Sequence, residues 1–342
     1  MAFDRAVRCV VALAASVFAV SQAAAQNSAA DFFRGKTITI SVGFTAGGGY
    51  DLHARTLARV LGKHVPGSPS IVVKNVPGAA GLVLVNSLYN ALPRDGTELA
   101  TFDRAIPLEP LLDSDKARFD ALKLNWIGST DNDASTCFAW HAAPVKTIDD
   151  LMTRELIVGA TGSIGDAVSF PRILNATIGT KFKIITGYPG STEALLATER
   201  GETQGFCSMG FATLDASRPQ WARERKVNVL VQLALQKNRD HPEVPLALDL
   251  AKTPLHRQML ELIVSPNLFV RPFTAPPGVP EDRVRALRKA FNDAMADPDY
   301  LADAEAKRMH VQLVTGEEIE GVLRRIYGMP KGVVERVKEA VK

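Results

Sequence analysis

Hydrophobic and polar residues alternate in short runs along the chain, and each run ends in a turn that precedes a stretch of helical periodicity. Residues 37–44 place every second side chain, from Ile38 to Phe44, on one apolar face, which is typical of a strand. The helical stretch that follows opens near Asp51. Strands are predicted in the same way over residues 37–44, 70–76, 98–102, 124–128, 136–141, 156–160, 182–186 and 227–233.

This alternation of strands and helices pauses near residue 130 and then restarts. Strands that alternate with helices are typical of parallel sheets joined by helical crossovers. A chain of 342 residues is also long enough for two domains. The pattern therefore predicts two α/β lobes, followed by an extended stretch over residues 262–273 and a mostly helical C-terminal part.

The N-terminus has the three parts of a secretory signal peptide. Two arginines precede an apolar run over residues 9–20, and the small residues from Ala23 to Ala25 offer a cleavage site before Gln26. The run is too short to span a membrane, which takes roughly 20 residues. A buried N-terminal helix is the alternative, but the run shows no amphipathic face. We expect residues 1–25 to be removed near Ala25, and the mature protein to be soluble and periplasmic.

The composition is that of an ordinary globular protein, with 46% hydrophobic residues, 23% charged residues and a formal net charge of +3. These values exclude the disordered, fibrous and small disulfide-scaffold classes. Since the small positive charge is not gathered into any block of Lys or Arg, no nucleic-acid partner is expected.

Export changes the meaning of the cysteines. Loss of the leader removes Cys9 and leaves Cys137 and Cys207, an even pair in an oxidising compartment. A bridge between them would stabilise the fold by roughly 4 kcal/mol in the chain-entropy model. The alternative is two buried thiols in separate strands. We predict the bridge.

Signatures of catalysis and of cofactor binding are missing from the sequence. None of the six histidines lies at a metal-ligand spacing, and no G-x-S-x-G elbow occurs. Residues 35–37 imitate the end of a phosphate loop without its first glycine, and residues 159–165 lack the G-x-G start of a dinucleotide turn. We therefore expect no metal, no cofactor and no enzymatic activity.

Two strand-to-helix turns, Thr45–Asp51 and Thr161–Asp166, are rich in small residues. The first turn of a helix has unpaired N–H groups and a partial positive charge, so it favours anions. Glycine there allows a ligand to approach the backbone closely. The alternative is that these glycines only make tight connections. Together, the two turns predict a pair of helix starts that hold a small anion between the lobes.

The motifs of the chain resemble those of the Bug receptors, the extracytoplasmic solute-binding proteins of tripartite tricarboxylate transporters. The segment 44–51 is similar to the F-x-P-G-G-x-x-D turn of that family, and the segment 75–81 to its N-x-P-G-A-x-G motif. The order and spacing of the motifs hold over nearly the whole mature chain. The other similar segments are 95–99, 187–190, 201–205, 241–245 and 275–280.

This resemblance implies an α/β Venus-flytrap fold, the two-lobed, type II-like periplasmic binding protein architecture in which each lobe is a sheet flanked by helices. Lobe 1 would combine residues 27–130 with 246–342, and lobe 2 would be 131–245. A monomer would capture a small carboxylate or similar polar solute and deliver it to membrane transporter subunits. The binding residues implied are Thr45, Gly47, Gly48 and Asp51 at one end of the solute, Thr161, Gly162 and Ser163 at the other, and Tyr188 and Gly190 in the second wall.

Several positions depart from the family pattern. Ala46 and Gly187 stand where proline is usual, and Gln204 stands where aspartate is usual. Arg104 follows the third strand and is a candidate to hold a carboxylate through two parallel hydrogen bonds. The alternative for Arg104 is a surface ion pair with Asp103 or Glu109.

Two other functions stay open at the level of sequence. A sensory receptor would bind the same solute but dock to a signalling partner. An exported α/β enzyme would need an activated nucleophile or an acid–base pair, and none is visible in the sequence.

Overall fold

A computed structural model of the chain describes residues 29–112, 115–162 and 164–342. The predicted signal peptide and Ser163 lie outside the described residues. The described chain forms two sheets, each flanked by helices, and no described helix is long and apolar enough to cross a membrane.

The first sheet has six strands in the order β11-β4-β10-β3-β1-β2 and forms the centre of the first lobe. Its central strands are buried, and Ile38, Ile40 and Val42 of β1, for example, are fully buried, whereas the edge strand β2 is partly exposed. The strands are β1 (Thr37–Val42), β2 (Ser70–Asn75), β3 (Glu98–Thr101), β4 (Asn125–Ser129), β10 (Pro272–Ala275) and β11 (Val314–Thr315). The helices are α1 (Gly49–His64), α2 (Leu82–Asn90), α9 (Glu281–Met295), α10 (Pro298–Ala306) and α11 (Gly316–Tyr327).

The second sheet has five strands in the order β7-β6-β8-β5-β9 and forms the centre of the second lobe. Its strands are β5 (Ser135–Trp140), β6 (Leu156–Ala160), β7 (Phe182–Thr186), β8 (Gly205–Gly210) and β9 (Val227–Leu233). The helices of this part of the chain are α3 (Ile148–Thr153), α4 (Asp166–Thr177), α5 (Ser191–Glu199), α6 (Phe211–Ser217) and α7 (Pro219–Arg223).

Both sheets are mixed, so the expectation of parallel sheets is wrong in part. β1 pairs in parallel with β2 and β3, and β6 with β7 and β8. By contrast, β10 runs antiparallel to β3 and β4, and β5 runs antiparallel to β8 and β9. Each of these two strands comes directly after the chain has crossed from the other lobe. A crossover helix that would force parallel pairing is therefore absent at both places.

The stretch predicted to be extended over residues 262–273 is mostly helical instead. α8 (Pro254–Val264) starts at Thr253, whose hydroxyl accepts a hydrogen bond from the amide of His256, and Pro254 occupies the first helical position. Only Pro272–Ala275 forms a strand. The continuous apolar run at residues 262–264 has no strand-like alternation because this end of α8 is fully buried.

The C-terminal third of the chain contributes to both lobes. α9 and α10 pack on α1 and α11 packs on β4, all in the first lobe. α8 and the last helix, α12 (Lys331–Val341), pack on α4 of the second lobe and on each other. The segment 246–342, which the sequence assigns to lobe 1, therefore supplies helices to both lobes. The lobe boundaries at residues 130 and 245 remain a prediction.

Cys137 of β5 and Cys207 of β8 are joined by a disulfide bridge. The two residues are register partners on neighbouring antiparallel strands, and both are fully buried. A bridge that spans 70 residues is worth about 4 kcal/mol in the chain-entropy model. It ties together the two strands at the centre of the second lobe.

Candidate functional site

A cavity of about 230 Å³ lies between the two lobes. Its wall combines the β1–α1 turn of the first lobe with the ends of β6 and β8 and the start of α5 from the second. The lobes also touch each other around it. A Cβ atom placed on Gly48 would lie 3.5 Å from Ser191 Oγ, and one placed on Gly190 would lie 2.5 Å from Thr45 Oγ1. The structure is therefore that of a closed cleft.

The start of α1 presents free backbone amides to this cavity. The amide of Gly47 donates to Asp51 Oδ2 at 2.9 Å, and Gly47 has a φ of +88°, which favours glycine. Among the residues that the structure describes, no acceptor faces the amides of Gly48, Gly49 and Tyr50. These donors, together with the helix dipole, favour an anion at this position.

Arg271 lies beside the start of α1, although it comes from the distant segment between α8 and β10. Its side chain lines the cavity and is only 6% exposed. A Cβ atom on Gly49 would lie 2.8 Å from Arg271 Nη2, which explains the glycine at that position. The guanidinium makes two long hydrogen bonds, to Val270 O at 3.3 Å and to Thr213 Oγ1 at 3.4 Å, and its Nε has no partner.

The aromatic ring of Tyr50 packs against the guanidinium of Arg271. The guanidinium carbon lies 4.6 Å from the centre of the Tyr50 ring, and the ring stacks on Phe44 at 4.6 Å. The Tyr50 hydroxyl accepts a hydrogen bond from the amide of Arg104 at 3.2 Å. Burial, aided by the nearby Asp103, raises the pKa of Tyr50, so its hydroxyl stays protonated. An arginine stacked on an aromatic ring is held in one orientation.

The start of α4 is filled by the protein itself. The amide of Asp166 donates to Asp103 Oδ1 at 3.2 Å, so a carboxylate from the first lobe takes the place that an anionic solute would need. Arg104 forms an ion pair with Asp166 and donates to Ser208 O at 2.9 Å. Burial and the neighbouring Asp166 raise the pKa of Asp103 well above its usual range.

Arg104 is consequently not part of a surface ion pair. Its side chain is only 2% exposed, and its partner is Asp166 rather than Asp103 or Glu109. Arg104 also lies on the cavity wall. Because it belongs to the first lobe and both Asp166 and Ser208 to the second, it fastens the two lobes together.

A third helix start, that of α5, closes the cavity opposite α1. Gly190, Ser191 and Thr192 line the cavity there. The carboxylate of Glu193 lies in the same turn, within 3.5 Å of the Thr45 hydroxyl, which donates to it. This acid adds negative charge to the α5 start, whereas the acid of the α1 turn, Asp51, is paired with Arg55, so an anionic group is favoured at the α1 start.

The far end of the cavity, towards residues 307–310, carries ion pairs that are already complete. His310 Nδ1 lies 2.6 Å from Asp131 Oδ1, and Lys307 Nζ lies 2.7 Å from Asp303 Oδ2. Burial, reinforced by the charge of Arg271, lowers the pKa of His53 to about 3, so its ring is neutral. Among the described residues, no group of three metal-ligating side chains occurs.

The structure brings most of the sequence-predicted site residues together. Asp51 is buried beside Arg55 and Asn75 and shapes the α1 turn without lining the cavity. Gly162 packs against Ala79 and Ala80, and Tyr188 packs against Gly159, so these two also lie outside the lining. Ser163 lies outside the described residues. The predicted residues on the wall are Thr45, Gly47, Gly48, Arg104, Thr161 and Gly190.

Sequence reasoning missed several residues of the wall. Arg271 follows a valine in an apolar stretch, and a charged residue in such a stretch is the one signal that could have marked it. Asp166 at the end of its turn and Tyr50 within the segment 44–51 carry no separate signal in the sequence. The missed residues with polar groups on the wall include Tyr50, Asp103, Asp166, Ser191, Ser208, Thr213 and Arg271.

Two sheet-centred lobes that close over a cavity define the fold of a two-lobed periplasmic binding protein. The structure of the periplasmic binding protein BugD covers 89% of this chain and 97% of its own, with a TM-score of 0.69 and 19% identity. The malate-bound MatC of Rhodopseudomonas palustris covers 90% of this chain and 99% of its own, with a TM-score of 0.67 and 18% identity.

In sequence, the chain is similar to the "UPF0065 protein in gbd 5′region" of Cupriavidus necator. The two are 25% identical over 336 residues, which is 95% of each chain. No protein-family model matches the chain. The likeness in fold and in sequence confirms the resemblance to the Bug receptors that the motifs indicated.

Proposed function

We propose that this protein is an extracytoplasmic solute receptor that binds a small carboxylated solute between its lobes. One observation carries the proposal. A buried guanidinium and three backbone amides without acceptors meet at one point of a cavity between the lobes. Burying such a group without a partner destabilises a protein, whereas a bound carboxylate would satisfy all of these donors together.

The closed arrangement supports capture rather than surface binding. Thr45, Gly48 and Arg104 of the first lobe contact Glu193, Ser191 and Asp166 of the second. A solute can enter only when the lobes separate, and hinge closure around a ligand is a common property of two-lobed binding proteins. A relative of the same fold, MatC, is known with malate bound, which is a carboxylate.

The finer parts of the proposal concern the biological setting. The leader would be removed near Ala25, and the mature receptor would act as a periplasmic monomer that delivers its solute to the membrane subunits of a tripartite tricarboxylate-type transporter. Within the site, Thr45, Gly47, Gly48 and Gly190 would contact the solute directly. Asp51 would only position the first turn. No chemical conversion of the solute is expected.

Calorimetric titration of the mature protein with small carboxylates, including malate, tests the proposal. We expect one ligand per chain, a micromolar or tighter dissociation constant and a raised Tm, because a ligand of the native state stabilises it by mass action. The corresponding neutral amides are the matched controls.

Ligand recovered after incubation should be chemically unchanged. If no carboxylate in the panel binds, or if the recovered ligand has been converted to a product, the proposed function is wrong. Mass spectrometry of periplasmic material should show a chain that starts at or near Gln26, and an intact Met1 would contradict export with cleavage.

A further inference from the structure

Among the described residues, the basic side chains of the cavity wall have carboxylate partners with one exception, Arg271. Three cations on the wall, besides Arg104, have a carboxylate partner: Arg218 lies 3.4 Å from Glu199, Lys307 lies 2.7 Å from Asp303, and His310 lies 2.6 Å from Asp131. Arg104 is paired with Asp166. Among the described residues, no carboxylate lies within ion-pair distance of Arg271.

Two other carboxyl groups near the cavity, those of Asp103 and Asp133, do not form an ion pair with Arg271. Asp103 is buried against Asp166, and its oxygen Oδ1 accepts from the amides of Ala105 and Asp166. Burial and the neighbouring Asp166 raise the pKa of Asp103, and no ion pair joins Asp103 to Arg271. Asp133 lies instead at the start of α6, where its carboxylate accepts from the amide of Ala212 at 3.3 Å.

The surroundings of Arg271 make its lone charge unfavourable in the empty site. The start of α1 adds a partial positive charge beside it, and the neutral ring of His53 offers no negative charge. Asp131 interacts with Arg271 at longer range, but its ion pair is with His310. The two hydrogen-bond partners of the guanidinium are neutral groups, the carbonyl of Val270 and the hydroxyl of Thr213.

We propose that Arg271 makes this receptor selective for solutes with a single negative charge. The inference rests on the proposed function and names its substrate class: a monocarboxylate, or the monoanion of a larger polar molecule. Its carboxylate would bridge the Arg271 guanidinium and the amides of Gly48 and Gly49. A second carboxylate on the solute would find hydroxyls and completed ion pairs but no cation that lacks a partner. A neutral solute would leave the guanidinium of Arg271 buried without a counter-charge.

The first test requires no ligand. Arg271→Met removes the charge and keeps much of the side-chain volume, so the ligand-free protein should become more stable, with a Tm raised by about 3 °C or more. Arg104→Met is the matched control, because it removes an arginine that has a buried partner, and it should lower the Tm. If Arg271→Met lowers the Tm as strongly as Arg104→Met does, the charge of Arg271 is balanced within the protein and the proposal is wrong.

The second test uses two series of probes with constant carbon frames: succinamide, succinamate and succinate, and adipamide, adipamate and adipate. In the wild type, the singly charged member of a series should bind at least ten times more tightly than the doubly charged one. It should bind about a hundredfold more tightly than the neutral one, since a hydrogen bond to a charged group supplies that difference. Tighter binding of the dianion in both series would overturn the singly charged class.

Variants at position 271 separate a contact with the solute from a structural role. Arg271→Met should abolish the preference for charge, so that the neutral, singly charged and doubly charged members of a series bind alike. Arg271→Lys should keep the preference for one charge with about tenfold weaker binding, because the charge remains and the fork of donors is lost. Equal behaviour of the Met and Lys variants would contradict the proposal. If no probe raises the Tm of the wild type, the proposed function as a carboxylate receptor is wrong. The comparison of Arg271→Met with Arg104→Met in the ligand-free protein then still tests whether the charge of Arg271 lacks a partner.

Discussion

The starts of α1 and α4 share their backbone features, but they differ in whether the protein supplies partners for the helix amides and for the neighbouring arginine. Each follows a strand through a glycine-containing turn, and each lies beside a buried arginine. At α4 the protein supplies the acceptor and the counter-charge, because Asp103 accepts from the amide of Asp166 and Arg104 pairs with Asp166. At α1 the amides of Gly48 and Gly49 and the guanidinium of Arg271 have no such partner among the described residues.

This difference shows what distinguishes a binding turn from a structural one. The glycines and the helix dipole are common to both turns, so they do not identify the site. What matters is whether acceptors of the protein satisfy the amides that face the cavity: at α1 the carboxylate of Asp51 accepts only from Gly47, and the amides of Gly48 and Gly49 keep no acceptor among the described residues. The start of α4, which we call the filled start, holds the two lobes together. The start of α1, which we call the open start, is where a solute can contribute binding energy.

The largest effect should come from breaking the filled start. Arg104→Met leaves the buried carboxylate of Asp166 without its counter-charge, so the free energy of unfolding should fall by about 3–5 kcal/mol at neutral pH. Urea denaturation measures this change. The double variant Arg104→Met with Asp166→Asn should recover a large part of the loss, because no unpaired charge remains. A single variant within about 1 kcal/mol of the wild type would show that the two starts do not differ in this way.

Blocking the open start should abolish binding with little change in stability. Gly48 has ordinary extended backbone angles, and its Cβ position is 3.5 Å from Ser191 Oγ, so valine fits the backbone but fills the cleft. We expect Gly48→Val to weaken solute binding about a hundredfold or more, which corresponds to roughly 3 kcal/mol.

Gly332→Val, at a helical position with open space around it, is the matched control and should bind like the wild type. Calorimetric titration compares the two variants. Unchanged affinity in Gly48→Val would place the solute elsewhere.

The start of α6 is also filled by a carboxyl group of the protein, and the ionisation of that group makes stability depend on pH. Asp133 accepts from the Ala212 amide at the start of α6, yet burial and the charge of Asp131 raise the pKa of Asp133 to about 6. A carboxyl with a raised pKa in the folded state favours folding less as it ionises, so its contribution worsens as the pH rises from about 4 through 6.

Asp133→Asn should therefore gain roughly 2–3 kcal/mol of unfolding free energy relative to the wild type between pH 4 and pH 7.5. Urea denaturation at the two pH values measures this gain. The exposed Asp149→Asn variant is the control and should show no such change. If the free energy of unfolding changes equally between the two pH values in the wild type and in Asp133→Asn, the raised pKa of Asp133 is contradicted.

The smallest effect should come from the turn that precedes α4. Thr161 lines the cavity, but it offers one neutral hydroxyl. Thr161→Val should weaken binding by about fivefold at most, which is within the range of one neutral hydrogen bond. Thr161→Ser keeps the hydroxyl and should bind like the wild type in the same titration. A loss as large as that of Gly48→Val would mean that both starts bind the solute equally.

Much of the architecture was predictable because it depends on local periodicity. The strands over residues 156–160, 182–186 and 227–233 were predicted with the bounds that the structure shows. Alternation of side chains between two faces is a property of neighbouring residues, so no knowledge of distant contacts is needed. The same rhythm predicted two α/β lobes, and the Venus-flytrap arrangement was implied by the resemblance of the motifs to those of the Bug receptors.

Other elements were not predictable, because distant segments decide them. The antiparallel strands β5 and β10 depend on where the chain crosses between the lobes, and the apolar end of α8 looks like a strand until its burial against α4 is known. Short apolar runs fit a strand and a buried helix equally well.

The sequence by itself determined the rhythm of strands and helices, the two small-residue turns and the cysteine pair. Only the tertiary structure decided which turn is open, because Asp103 reaches α4 from the first lobe and Arg271 reaches α1 from the end of the second crossing. Asp103 acts as a hydrogen-bond acceptor and Arg271 through its charge, each across a few ångströms between residues that are far apart in the chain. Whether a buried charge has a partner depends on the folded arrangement in three dimensions, and the order of residues does not record it.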